Sequence, residues 1–137
     1  MFEEFIKTGK ARKTQPDISL TKSLIEMSKT HLKFASEIRI TEQTASPLLA
    51  NYYEALREIC EAICAKQGYK VYSHEAFTAY LKEKLNEERI SETFYRLRKL
   101  RNGVNYYGKQ VSTNETKKSA EDVQKLIQIL TNKYLVK

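Results

Sequence analysis

Arg101, Asn102, Asn105, Tyr106 and Tyr107 fall close together in the run FYRLRKLRNGVNYYGK, which extends from Phe94 to Lys109. A guanidinium is a rigid fork of N–H donors that fits a phosphate through two parallel hydrogen bonds. Amide and phenol side chains beside it add further bonds, and Arg98 and Lys109 surround it with positive charge. These residue types suit the binding of a nucleotide or RNA. Proton transfer is harder, because imidazole titrates near pH 6.5 unperturbed whereas a phenol does so near 10. Arg101 and Tyr106 are the candidates for a catalytic pair, and Tyr106 would need a large downward shift to serve. His74 is the secondary candidate. It follows Ser73 at a helix start, where the helix dipole lowers an imidazole pKa, although packing against the Tyr69–Ser73 connector explains it as well. Cys60 and Cys64 stand four apart in a helical segment, where their side chains run parallel and no close Cys/His pair completes a metal site. They read as reduced core thiols, and no metal or cofactor is expected.

These residues need a frame. At helical spacing Phe94, Leu97, Leu100 and Val104 form an apolar stripe, and Arg101 lies at its edge almost directly below Phe94. A charge there must find a partner or face a cleft. Asn102-Gly103 predicts a helix end or bend that leaves the polar residues at a break. Ser91 opens this helix. Before it, Asp17 or Ser19 caps a helix carrying Leu20, Leu24, Met27, His31 and Ala35, and Ser46-Pro47 starts one carrying Leu49, Tyr52, Tyr53, Leu56, Ile59 and Ile63 that stops at Gly68. Ser73 caps a third with Ala76, Phe77, Tyr80, Leu81 and Leu85, and Thr113 or Asn114 caps a last one with Ala120, Val123, Ile127 and Leu130. The tyrosines mostly fall on these stripes, so packing accounts for them before base stacking does. Short connections between such helices predict an all-α, antiparallel up-down bundle of four to five helices. Residues 17–137 read as its single domain. Residues 1–16, basic and interrupted by Gly9 and Pro16, read as a flexible terminus.

The composition agrees. The chain has 137 residues, 41% hydrophobic and 30% charged, with four Gly and two Pro, which argues against disorder and against a many-turned β fold. The net charge is +7, and residues 94–118 hold seven basic side chains against one acidic, so phosphate-bearing partners are favoured. No apolar run is long enough to span a membrane, and residues 1–16 lack the apolar core of a secretory signal, so a cytoplasmic protein without a membrane partner is expected.

From Tyr52 to Gly108, the runs YYEALREICEAICAKQGYKVYSHEAFTAYL and FYRLRKLRNGVNYYGK resemble the HEPN superfamily of small helical nucleotide-binding domains. The resemblance implies a four- or five-helix bundle, usually a homodimer, whose arginines face a shared cleft. The apolar stripe with a charge at its edge is best explained if a symmetry mate covers it, so the dimer is expected through the helix bearing Leu97, Leu100 and Arg101. Ribonuclease members carry a histidine four to six residues after the arginine, and here Tyr106 takes that place. Relatives pair with nucleotidyltransferases, some as toxin and antitoxin. The expected function is thus a non-catalytic or weakly active nucleotide- or RNA-binding domain with a possible nucleotidyltransferase partner. A metal-independent ribonuclease toxin and a structural dimerisation domain are the alternatives.

Overall fold

A computed structural model describes residues 1–136. They form an all-α bundle of α1 (Phe2–Lys7), α2 (Ile18–Ser36), α3 (Ala45–Gln67), α4 (His74–Ala79), α5 (Glu88–Tyr107) and α6 (Thr113–Leu130), with two three-residue strands, β1 (Ala11–Lys13) and β2 (Tyr69–Val71). The ends of α4 and α6 widen into single π turns, Tyr80–Lys84 and Thr131–Leu135. Helix α3 is the axis of the bundle and packs against α2, α5 and α6. That position explains why Leu49, Tyr53, Leu56, Ile59 and Ile63 are all buried on it. Cys60 and Cys64 are free thiols in the same core, and burial pushes the Cys60 pKa up to about 12.

Local chemistry sets most boundaries. Asp17 and Ser73 accept from the backbone N–H of Leu20 and Ala76 at 2.9 and 3.1 Å, capping α2 and α4. Gly68 ends α3 with φ +88°, and an added Cβ there would meet the Thr14 carbonyl oxygen at 2.8 Å. Other boundaries differ from expectation. Helix α3 opens at Ala45, because Thr41 and Thr44 bond each other in the turn before it, and the Ser46 hydroxyl accepts from Val111 N–H instead of capping. Ser112, not Thr113 or Asn114, caps α6. Helix α5 begins before Ser91, whose hydroxyl donates to the Thr78 carbonyl at 3.0 Å and ties α5 to α4.

Residues 1–16 are ordered by contacts far away in sequence. The Phe2 ring is fully buried, edge-on to Tyr69 and Tyr80 at 5.6 and 5.1 Å, and its N–H donates to the Glu83 carboxylate. β1 pairs antiparallel with β2 in the register Ala11↔Val71, Arg12↔Lys70, Lys13↔Tyr69. Strands this short carry no periodic signal, and their partner lies some sixty residues on.

Asn102 and Gly103 do not break α5, which continues to Tyr107 and stops at Gly108 with φ +65°. Glycine in a helix interior costs about 0.5–1 kcal/mol relative to alanine. A Cβ at Gly103 would meet only the Lys109 side chain, at ordinary contact distances of 3.5 and 3.7 Å. Gly103→Ala is therefore expected to raise the unfolding free energy by about 0.5–1 kcal/mol in urea titrations; an equal loss would show that α5 needs flexibility there.

Candidate functional site

Because α5 is continuous, its polar residues separate by helical phase into two groups on opposite sides. The inner group centres on Arg101, 8% exposed. Its Cζ lies 5.0 Å from the Tyr53 ring centre and 5.6 Å from that of Tyr106, so the guanidinium is held between two π faces. One terminal nitrogen donates to the Tyr106 hydroxyl at 3.3 Å, and the other approaches His74 Nε2 at 3.2 Å. Nε is buried without a partner. No carboxylate forms an ion pair with Arg101 among the described residues.

His74 links this arginine to the core. Its Nδ1 lies 2.6 Å from the Tyr53 hydroxyl. The Arg101 nitrogen that lies 3.2 Å from Nε2 lies 3.5 Å from Nδ1 as well, so it sits over the imidazole face rather than on one lone pair, and a cation held there favours the neutral ring. Burial first, and then Arg101, Arg57 and Arg98, hold the His74 pKa down to about 4. Burial pushes the Tyr53 phenol well above its ordinary value. Tyr53 is the residue sequence reasoning missed. Its stripe position marks it as core, and only the need of a buried phenol for a partner hinted at more.

The depressed His74 pKa has a signed consequence. Between pH 6.5 and 4 the unfolded chain binds a proton that the folded chain refuses, so stability falls as pH drops through this window. With about 1.36 kcal/mol per unit and partial exposure of the ring, the loss is about 2–3 kcal/mol. Glu54, Glu83 and Glu87, whose pKa values are also lowered, lose stability in acid in both proteins. The His74→Gln variant is expected to show a flatter stability profile than the parent from pH 6.5 to 4, and coincident slopes in denaturant titrations would contradict the neutral buried ring.

The outer group lines a groove of about 800 Å³ on the other side of α5. Arg98, Asn102, Tyr107 and Lys109 border it, together with Tyr95 and Lys99. Lys109 folds back over the end of α5, its N–H donating to the Gly103 carbonyl at 3.0 Å. Asn105 is exposed. The expectation that all the polar residues share one cleft with Arg101 is thus corrected: Arg101 lines neither this groove nor a second cleft of about 600 Å³ beside α4, which Arg98 also borders. Leu97 and Arg101 are covered within a single chain, whereas Leu100 and Val104 of the same stripe are only partly buried.

Elsewhere, the fully buried Glu58 carboxylate accepts from or pairs with His31 Nδ1 at 2.8 Å, joining α3 to α2. Among the described residues no cluster of three or more His, Cys, Asp or Glu side chains could hold a metal, and no helix is long and apolar enough to cross a membrane. No known family model and no curated protein matches the chain.

Proposed function

We propose that this chain is a HEPN-like nucleotide- or RNA-binding domain, non-catalytic or weakly active, in which Arg101 holds a phosphate. In this reading it is a cytoplasmic homodimer and the partner of a nucleotidyltransferase in a toxin–antitoxin pair. One observation carries the reading: a guanidinium 8% exposed is surrounded by two tyrosine rings and a neutral imidazole rather than by a carboxylate. None of these neighbours offsets the cost of desolvating a full charge. An anion would. Tyr106, 68% exposed, can swing off Arg101 without unpacking the core, freeing the terminal nitrogen Nη1, while Nε has no partner of its own.

Catalysis is the weaker reading. His74 Nδ1 is taken up by the Tyr53 hydroxyl, its pKa of about 4 leaves the ring a poor base near neutral pH, and a phenol, Tyr106, stands five residues after Arg101. A structural role has an observation of its own, since Arg101 already contacts residues of α4 and α5. Titration of the protein and its Arg101→Met variant with AMP and with a single-stranded oligoribonucleotide separates these readings. Binding that disappears with the guanidinium supports the phosphate site, binding that persists places the ligand elsewhere, and turnover of the RNA by the parent alone would install the ribonuclease.

A further inference from the structure

The groove on the outer side of α5 is built differently from the Arg101 pocket and carries an inference of its own. Its wall exists because Gly108 reverses the chain, Lys109 N–H bonds the Gly103 carbonyl, and Val111 N–H is held by the Ser46 hydroxyl at 2.8 Å. Its floor is open because Gly103 has no side chain. Four cations line it, Arg96, Arg98, Lys99 and Lys109, with no carboxylate among the lining residues. Two of the four are already engaged: Arg96 by Glu115 and Asp122 at 3.2 and 3.0 Å, and Arg98 by Glu75 at 3.8 Å. Lys99 and Lys109 have no carboxylate within 4.0 Å among the described residues, so their charge faces solvent.

Two aromatic rings mark the ends of the groove. Tyr95 is 45% exposed and Tyr107 75% exposed, and twelve residues of helix separate them by about 18 Å. The Lys99 ammonium rests 5.3 Å from the Tyr95 ring centre, in the groove rather than away from it. A mononucleotide cannot use both rings and both lysines over that length. A chain of linked nucleotides can, laying successive phosphates along the lysines while bases stack on the phenols. A duplex hides its base faces and has no use for the tyrosines.

We propose that this groove is the track of a single-stranded polynucleotide, gripped by Lys99 and Lys109 and stacked on Tyr95 and Tyr107. The inference rests on the reading of the chain as a nucleotide or nucleic-acid binder, but it does not require Arg101 to touch the strand. The test is fluorescence anisotropy with end-labelled uridylate and deoxythymidylate octamers and a labelled hairpin duplex, with AMP binding measured alongside. Both single strands are expected to bind more tightly than the duplex, with a log–log salt slope of about −0.7 per phosphate engaged; preference for the ribose octamer would assign the track to RNA, and equal affinity to either sugar. The Lys99→Glu/Lys109→Glu double variant should bind the octamers at least roughly tenfold more weakly, and Tyr107→Ala roughly fivefold or more. A Lys117→Glu/Lys118→Glu control on exposed positions of α6 should stay within about threefold of the parent, because those lysines lie off the track. All these positions are exposed, so circular dichroism should report unchanged folds. Octamer binding that ignores the groove substitutions, or AMP binding without octamer binding, overturns the track and leaves the Arg101 pocket standing. Octamer binding that survives Arg101→Met while AMP binding is lost separates the two sites and supports the track.

Discussion

Arg101→Met is expected to weaken phosphate binding by about 10- to 150-fold while changing the unfolding free energy by less than about 2 kcal/mol. The first figure is the worth of a charge-assisted hydrogen bond, about 1.5–3 kcal/mol, expressed as an affinity ratio. The second follows from opposing terms. Methionine keeps an unbranched chain of similar length between Tyr53 and Tyr106, and it removes the desolvation of a cation that has no carboxylate beside it. Against that, the variant gives up the guanidinium's contact with the His74 ring and its hydrogen bond to the Tyr106 hydroxyl, the latter worth about 0.5–1.5 kcal/mol. Calorimetric titration with AMP together with urea unfolding of the same samples reads both quantities. A stability loss of about 4 kcal/mol with binding intact would show that the arginine is a strut.

Phe94→Ala should have the largest effect on the fold of any substitution near the site, about 3–5 kcal/mol. The ring is fully buried, 5.3 Å from Tyr53 and 6.4 Å from Phe77, so it is where α5 meets both α3 and α4. Whole domains are held by only about 5–15 kcal/mol, so thermal unfolding should move down by roughly 10–20 °C. The cavity would also release Tyr53, on which Arg101 stacks. Phosphate affinity should therefore fall in Phe94→Ala although Phe94 touches no ligand. A melting temperature within a few degrees of the parent would mean that the three rings are not the wedge described.

What could be read from the residues was whatever short-range physics controls. Asp17, Ser73 and Gly68 act on backbone groups within a few residues, so the ends they set were visible in the chain. The stripes of α3 and α5 recur with the helical period and announced which of their faces are buried, and with them the all-α bundle. The same phase placed Arg101 at the edge of an apolar face before any partner was known.

Tertiary contacts decided the rest. Phe2 and β1 are ordered by Tyr69, Tyr80, Glu83 and β2, and so many intervening residues leave no local trace of such pairing. Asn102-Gly103 carries a strong local stop signal, yet α5 continues through it, because packing of Phe94 and Leu97 and the return of Lys109 onto the Gly103 carbonyl outweigh about 1 kcal/mol of propensity. That continuation turned one expected cleft into two sites, with Arg101 inward and Tyr107 outward. Periodicity states which face of a helix is apolar, but it cannot state that His74 and Tyr53, from two other helices, are what the buried guanidinium meets.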